Sequence, residues 1–421
     1  MNPAQSAAAE LDRDDPLQHF RAQFHVPRDS QGNELVYLCG HSLGLQPHST
    51  AQVINEELDA WARLGVDGHF HSVRPWLSYH EQVTPQLARL VGAQPDEVVA
   101  MNSLTVNLHL MLASFYQPTA TRFRILIEER AFSSDRYAAA SHLKLHGVTQ
   151  ADALIEIPAR ESDYTLPTEV LLEYIERFGP STAVVLLPGV QFLSGQRLDL
   201  ARITAAAHRH GCLVGFDLAH AIGNVPLELH DWNIDFAVWC SYKYLNSGPG
   251  AIGGCFVHQR HGRDMNRERL AGWWGHQKNT RFDMPQVFEP IAGAEGWQVS
   301  NPSIFALAPL LASLRMFEEA SFSALRDKSV RLTAYLYDLL NSTSDGRVQI
   351  LTPSNPNERG CQLSLRLNES PARAKAIHTA LTQRGFICDW REPDVVRVAP
   401  VPFYNTFTEA WRFAEALRQV T

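Results

Sequence analysis

Two apolar segments in the middle of the chain each lead into a residue that can do chemistry. Residues 213–216 are followed by Asp217 and, three positions later, by His220. Residues 236–239 are followed by a loop that contains Lys243, 26 positions after Asp217. One helix and one strand take up about that length, and parallel sheets bind their ligands at the carboxyl ends of the strands. Asp217 and Lys243 are therefore predicted to face one crevice.

A lysine and a carboxylate in one crevice suit a particular cofactor. Lys243 can form a Schiff base with an aldehyde, and Asp217 can keep a pyridine nitrogen protonated. Either residue alone at the end of a strand is more often an ordinary solvated side chain. The two together favour pyridoxal 5'-phosphate.

The phosphate of such a cofactor needs backbone N–H donors at the start of a helix, with hydroxyl groups nearby. Residues 102–105, Asn-Ser-Leu-Thr, open a predicted helix over 106–115 and offer both, and Ser241 adds a hydroxyl. The alternative is a plain N-cap by Asn102 or Ser103, which the sequence alone leaves open.

A dinucleotide-binding motif is also present in outline. Gly248, Gly250 and Gly253 fit the pattern G-x-G-x-x-G. That fingerprint has to follow a strand and open a helix, whereas these glycines follow the lysine loop and run into a predicted strand at 254–258. They are interpreted as a tight return connection.

Metal and thiol chemistry have weaker support. The pairs His69/His71 and His208/His210 do not place two ligands on one helix face, and no HExxH motif occurs, so no metal site is predicted. The six cysteines are spread without a CxxC pair. They are expected to be reduced and mostly buried.

Composition limits the possible partners. The 421 residues include 37 Lys plus Arg and 45 Asp plus Glu, a net charge of −8, without a basic block for a nucleic-acid backbone. No apolar stretch approaches the roughly 18 residues of a membrane helix. The first fifteen residues lack the basic start and apolar run of a signal peptide, so a cytoplasmic protein that binds neither nucleic acid nor membrane is expected.

The elements that must position these residues alternate between strand and helix. Strands are predicted at 123–127, 153–157, 183–187, 213–216 and 236–239, with helices at 137–146, 169–178 and 201–210. The strands are continuous apolar runs, which is typical of strands buried on both faces. The predicted fold class is α/β, with a large domain built on a mainly parallel sheet of about seven strands covered by helices.

A different pattern follows Pro302. Long helices are predicted at 304–320 and 323–341, then strands at 348–351, 362–367 and 395–398 interleaved with helices at 372–383 and 409–418. This indicates a smaller α+β domain. The predicted division is an N-terminal segment at 1–85, loop-rich with a helix near 51–64 and packed on the small domain and the active site, a large cofactor-binding domain at 86–310 and a small domain at 311–421.

Several longer motifs are more specific than the aspartate and the lysine. They lie at 38–47 (LCGHSLGLQP), 74–76 (RPW), 103–109 (SLTVNLH), 215–224, 240–246, 272–276 (GWWGH), 300–302 (SNP) and 397–402 (RVAPVP). Together they resemble the kynureninase family, fold-type I pyridoxal-phosphate enzymes of the aminotransferase class V group. Other class V enzymes would share the Asp, His and Lys, but not the GxxGH or RVAPVP segments.

The resemblance implies a role for individual residues. The catalytic residues would be Lys243, which binds the cofactor aldehyde, Asp217, which holds the pyridine nitrogen, and Tyr242, which moves protons or else only binds the phosphate. The remaining cofactor contacts would be Leu104, Thr105, Phe132, Asp135, His220, Ser241, Trp273 and Asn301. The substrate would be held by Ser42, His69, Ser300, Asn301 and Arg397, with the Arg397 guanidinium on its α-carboxylate. Because Trp273 and Asn301 come from the neighbouring subunit in this family, a homodimer with shared sites is expected.

The implied reaction is hydrolysis of the Cβ–Cγ bond of L-kynurenine to anthranilate and L-alanine, in tryptophan catabolism and NAD biosynthesis. The polar residues His69, Ser300 and Asn301 favour 3-hydroxykynurenine as a second substrate, giving 3-hydroxyanthranilate. The alternatives are a class V transaminase, a cysteine desulfurase or a non-catalytic relative. A desulfurase needs a mobile cysteine, whereas Cys361 and Cys388 lie in apolar, strand-like surroundings.

Overall fold

The structure is a computed structural model that describes residues 3–343 and 346–421. Residues 1–2 of the predicted N-terminal segment and 344–345 of the predicted small domain lie outside the described residues. The helices are α1 (Pro3–Arg13), α2 (Ser49–Leu64), α3 (Gly68–His71), α4 (Thr84–Val91), α5 (Leu104–Phe115), α6 (Ser133–Leu145), α7 (Thr168–Phe178), α8 (Leu200–Arg209), α9 (Gln259–Gly262), α10 (Ile304–Ala320), α11 (Phe322–Thr343), α12 (Pro371–Gln383) and α13 (Phe407–Val420). The strands are β1 (Val36–Tyr37), β2 (Val98–Ala100), β3 (Arg124–Glu128), β4 (Leu154–Ile157), β5 (Thr182–Pro188), β6 (Leu213–Asp217), β7 (Phe236–Cys240), β8 (Gly253–Val257), β9 (Val348–Ile350), β10 (Leu363–Leu367), β11 (Phe386–Ile387), β12 (Asp389–Arg391) and β13 (Val395–Val398).

A seven-stranded sheet in the order β2-β8-β7-β6-β5-β3-β4 forms the centre of the large part. The five strands from β7 to β4 are parallel and correspond to the five predicted strands. Strand β8 runs antiparallel to both β7 and β2, because the glycine-rich segment after Lys243 returns the chain along the same edge. The α/β class with a mainly parallel sheet is confirmed.

Both faces of this sheet are buried, which explains why its strands are continuous apolar runs. In β5, Val185 and Leu187 belong to the hydrophobic core on one face, and Val184 and Leu186 belong to the core on the other. Successive side chains of a strand point to opposite faces, so both faces need apolar residues. The ligand-binding edge of the sheet is thus held between two layers of helices.

The small C-terminal part is an antiparallel sheet in the order β12-β13-β10-β9 with its own hydrophobic core. Helices α11, α12 and α13 cover it, and α1 packs on α13. Helix α1 lies where the sequence predicts mainly loop, and it is attached by polar contacts: Asp12 accepts N–H bonds from Phe407 and Thr408. A buried ion pair of 2.6 Å also joins Asp15 to Lys328.

The N-terminal segment connects the two parts of the molecule. Strand β1 pairs in parallel with β11 of the small part. A few residues further on, the Gly44 N–H donates to the backbone carbonyl of Tyr242, beside Lys243. The domain bounds 1–85, 86–310 and 311–421 stay predictions. Among the described residues, no helix combines the length and the apolar character needed to cross a membrane.

Candidate active site

Four strands of the sheet end at one cavity. Its walls are formed by Leu104, Thr105, Glu128, Phe132, Ser134, Asp135, Pro188, Val190, Phe192, Asp217, Ala219, His220, Tyr242 and Lys243, and its empty space is about 540 Å³, part of it open to solvent. Strands β3, β5, β6 and β7 reach it by their carboxyl ends, and α5 and α6 by their amino ends. Asp217 and Lys243, predicted to share a crevice, both line this cavity.

The amine of Lys243 has a defined neighbour. Its Nζ lies 3.0 Å from Nε2 of His220, the histidine three residues after Asp217. Burial, and then the positive charge of Lys243, hold the pKa of His220 well below its ordinary value. His220 is therefore neutral, and we assign its Nε2 as the acceptor of a hydrogen bond from the lysine amine.

The same cavity also contains two interacting acids, Asp135 and Asp217. Burial raises the pKa of Asp217, while the Ala219 N–H, the charge of Lys243 and a hydrogen bond with Asp135 act in the opposite direction. Burial and the neighbouring charges of Asp217 and Glu128 raise the pKa of Asp135 well above its ordinary value. In the pair Asp135–Asp217 the proton therefore resides on Asp135, and Asp217 carries the negative charge.

The start of α5 is free to bind an anion. Ser103 precedes the first residue of the helix, but its side chain makes no capping hydrogen bond, and Asn102 uses its side-chain amide on Asn107 instead. The first backbone N–H groups of the helix, at Leu104 and Thr105, thus lie at the cavity without an N-cap acceptor. The alternative, in which the side chain of Asn102 or Ser103 caps the helix, is therefore wrong.

Arg397 approaches the same region from β13 of the small part and is only 1% exposed. Its Nε and Nη2 both lie 2.6 Å from Oδ2 of Asp389, and its Nη1 donates to the backbone carbonyl of Phe192 at 2.6 Å. These contacts use three of the five N–H groups of the guanidinium, and one N–H remains on each of Nη1 and Nη2. Two N–H groups on the two terminal nitrogens suit bidentate binding of a carboxylate.

The structure brings some predicted site residues together and leaves others apart. The cavity is lined by Leu104, Thr105, Phe132, Asp135, Asp217, His220, Tyr242 and Lys243. Not among its lining are Ser42, His69, Ser241, Trp273, Ser300, Asn301 and Arg397. Trp273 is 47% exposed, and Ser42, Ser300 and Asn301 are exposed as well. Ser241 is buried, and its hydroxyl has no partner among the described residues.

Sequence reasoning missed part of the lining: Glu128, Ser134, Pro188, Val190, Phe192 and Ala219. Glu128 and Pro188 are the last residues of β3 and β5. The rule that identified Asp217, that ligands bind at the carboxyl ends of parallel strands, applies equally to these two. This rule could therefore have identified Glu128 from the sequence.

The histidines considered as metal ligands make other contacts. His208 Nε2 lies 2.8 Å from Asp235 and His210 Nε2 lies 2.9 Å from Glu176, and within the described ranges neither histidine pair belongs to a group of three potential metal ligands. Elsewhere, Glu97, His230 and His258 bring three potential ligand atoms within 4.8 Å of one another. Glu97 already accepts hydrogen bonds from two backbone N–H groups and from His230, so this group is explained as a structural network. The prediction of no metal stays a prediction.

The fold and the lysine–aspartate cavity together define the class, fold type I of the pyridoxal-phosphate enzymes. Among solved structures, a C-DES mutant with glycine covalently linked to the pyridoxal-phosphate cofactor aligns with a TM-score of 0.78 and 18% identity, over 94% of this chain and 98% of that one. The Escherichia coli cysteine desulfurase CsdA aligns with a TM-score of 0.75 and 17% identity, over 96% and 98%. At these identities the likeness is one of fold.

Sequence comparison identifies the family. The family model "Kynureninase C-terminal domain" matches residues 325–417. A kynureninase from Myxococcus xanthus is 54% identical over 98% of this chain and 96% of its own, and one from Koribacter versatilis is 52% identical over 97% and 96%. The chain belongs to the kynureninase family.

Proposed function

We propose that this protein is a pyridoxal-phosphate-dependent hydrolase that cleaves the Cβ–Cγ bond of L-kynurenine, producing anthranilate and L-alanine. The observation that carries the proposal is the cavity that Lys243 and the acidic pair Asp135–Asp217 line together, in a chain more than half identical to curated kynureninases. The alternatives of a class V transaminase or a cysteine desulfurase are not favoured. Burial raises the pKa of the Cys361 thiol to about 12, so it is not a reactive thiolate.

The residues present fit pyridoxal 5'-phosphate. Its phosphate suits the free N–H groups at the start of α5 and the unpartnered hydroxyl of Ser241, and its ring nitrogen suits the carboxylate of Asp217. The ring of Phe132 has its centroid 5.9 Å from the Lys243 amine, close enough to stack on a ring bonded there. When bound, the cofactor withdraws electrons from the carbon atoms next to the substrate amine.

Lys243 is proposed to hold the cofactor and then to take the α proton of the substrate. A base must be unprotonated to do so, and neutral His220 at 3.0 Å accepts a hydrogen bond from the amine without adding charge. Asp217 is proposed to keep the pyridine nitrogen protonated, since it carries the negative charge of the acidic pair. Arg397 is proposed to bind the α-carboxylate through the tip of its guanidinium.

Tyr242 is proposed to donate protons in the later steps. Burial, and then the neighbouring Cys240, raise the pKa of its hydroxyl above the ordinary value for tyrosine. At neutral pH the group is therefore protonated and can act as an acid. Binding of the phosphate by this hydroxyl is the other role that its position allows.

We also propose a homodimer with shared active sites. Trp273, Ser300 and Asn301 do not line the cavity of their own chain and are exposed, which supports a role in the site of a partner subunit. The chain around and after Trp273 also exposes apolar side chains, at Leu270, Phe282, Met284 and Val287. With His69, the polar residues at 300 and 301 would meet the substrate ring, including the hydroxyl of 3-hydroxykynurenine. We further propose a cytoplasmic location, and a division of the chain into an N-terminal segment at 1–85, a large domain at 86–310 and a small domain at 311–421.

The test is product analysis with the purified holoenzyme and L-kynurenine. Anthranilate and alanine in equal amounts are expected, and the variant Lys243→Ala should produce neither. Kynurenate from kynurenine would indicate a transaminase, and sulfide from cysteine a desulfurase. Either result, without anthranilate, would overturn the proposed activity. Sedimentation of the protein tests the dimer separately.

A further inference from the structure

The cavity contains a third buried acid that the proposed reaction does not use. Glu128, the last residue of β3, is 2% exposed and lines the same cavity as Asp135 and Asp217. A buried carboxyl group is costly unless it is paired or uncharged. Among the described residues that line this cavity, Lys243 is the one cation, and it faces Asp217. Glu128 therefore needs another explanation.

The surroundings of Glu128 distinguish its two oxygen atoms. The side-chain oxygen of Gln191 accepts N–H bonds from Leu193 and Ser194 at 2.6 and 2.8 Å, which fixes the orientation of the amide. Its Nε2 must then point the other way, and it lies 3.4 Å from Oε1 of Glu128. Because Oε1 accepts a hydrogen bond from Gln191, the proton of a protonated Glu128 would reside on Oε2.

Oε2 is buried and has no hydrogen-bond partner among the described residues, and the same is true of Oδ1 of Asp135. One atom can be a donor and the other an acceptor, and both belong to the lining of one cavity. A hydrogen bond between them, direct or through one water molecule, would satisfy both. Asp135 is in turn hydrogen-bonded to Asp217.

The charges of the neighbouring elements favour a protonated Glu128. Burial, and the charge of Asp217 on β6, raise its pKa to about 8 against the opposing hydrogen bond of Gln191. Asp135 on α6 is protonated, and His220 after β6 is neutral. The positive charge of Lys243 works against these increases at Asp217 and Asp135, because it lowers the pKa of both groups. At neutral pH the three acids thus share two protons and one negative charge.

We propose that Glu128 is a positioning residue that stays protonated and, through the chain Glu128–Asp135–Asp217, keeps the single negative charge of this cluster on the carboxylate that faces the cofactor nitrogen. The inference rests on the proposed function, because it assumes that the cofactor ring lies against Asp217. Ionised Glu128 would instead repel that carboxylate. An apolar side chain in place of Glu128 would leave Asp135 without this hydrogen-bond donor.

The first experiment measures the affinity of the apoenzyme for pyridoxal phosphate, by titration of the visible absorption of the bound cofactor. Glu128→Gln, which is uncharged and keeps a donor, is expected to bind within about threefold of the wild type, whereas Glu128→Leu is expected to bind about tenfold more weakly or worse. Glu97→Gln is the matched control: it changes a buried glutamate outside the cavity and should leave the affinity unchanged. Tenfold weaker binding by Glu128→Gln, or unchanged binding by Glu128→Leu, would overturn the proposal.

The second experiment needs only the conservative variant to fold. The infrared difference spectrum of wild-type holoenzyme and Glu128→Gln at neutral pH should contain the carbonyl band of a protonated carboxyl group. Carboxylate bands in its place would show that Glu128 is ionised and would refute the inference. Wild-type protein that binds no pyridoxal phosphate would refute the proposed function instead, so the two failures can be told apart.

Discussion

Removal of Asp389 tests how Arg397 is held for the substrate carboxylate. Asp389 accepts from both Nε and Nη2 of this arginine, two of its three contacts, and its own side chain is 17% exposed. Loss of one partner from a buried ion pair costs about 3–5 kcal/mol, and the partial exposure of Asp389 favours the lower end of this range. That cost is shared between folding and substrate binding.

For Asp389→Ala we expect an increase of about 10- to 100-fold in KM for kynurenine, equivalent to about 1.4–2.8 kcal/mol of lost binding, with a smaller decrease in kcat. Asp389→Asn keeps one acceptor for the guanidinium, so a rise of only about 3- to 10-fold is expected. The assay follows the fluorescence of anthranilate at varied substrate concentration, alongside thermal unfolding.

Asp394→Asn is the matched control, since Asp394 directly precedes β13 and its one ion pair with the described residues is with Arg366, at 4.0 Å. Its KM should equal that of the wild type. If Asp389→Ala lowers the unfolding temperature while KM is unchanged, Asp389 supports the small sheet alone and the argument for its role in orienting Arg397 is refuted.

Three further changes have expected outcomes. A methyl group at Gly44 would overlap the backbone carbonyl of Lys243, so Gly44→Ala should lower stability by about 1–3 kcal/mol and weaken cofactor binding, measured by unfolding and by absorbance. Tyr242→Phe should keep the visible absorption of the cofactor and lose about 10²- to 10⁴-fold in kcat; normal turnover would leave only phosphate binding. Although burial raises it, the neighbouring His80, 3.5 Å away, and Lys278, 2.7 Å away, lower the pKa of Glu295 to about 2 from its ordinary 4.5. The carboxylate therefore adds about 3 kcal/mol of stability above pH 4.5 that is lost as the pH falls toward 2, and Glu295→Gln should remove this part of the acid dependence in denaturant titrations.

The positions of the parallel strands and the long helices along the chain could be predicted because their patterns are local, whereas the order of the strands in the sheet, with β3 between β5 and β4, was not predicted. Helix α10 has the predicted bounds, 304–320, and β13 those of 395–398. The adjacency of β6 and β7, which brings Asp217 and Lys243 to one edge, followed from their spacing and is confirmed by their parallel pairing.

Other features depend on contacts between distant parts of the chain. Helix α1 is held by hydrogen bonds that Asp12 accepts from backbone N–H groups almost four hundred positions away, and no local pattern contains that information. The predicted strand at 123–127 stops one residue short of Glu128, so the sequence pattern did not identify this acid as the end of a strand. The roles of Trp273 and Asn301 depend on a second chain and stay a prediction.

The N-terminal segment limits how the small C-terminal part can move relative to the lysine loop. Its residues 36–37 pair with β11, and a few positions later the Gly44 N–H donates a hydrogen bond to the backbone carbonyl next to Lys243. Seven positions of chain separate Tyr37 in this pairing from the hydrogen bond of Gly44, and a chain of that length has a limited reach. The small sheet therefore cannot move far from the lysine loop while both contacts are kept.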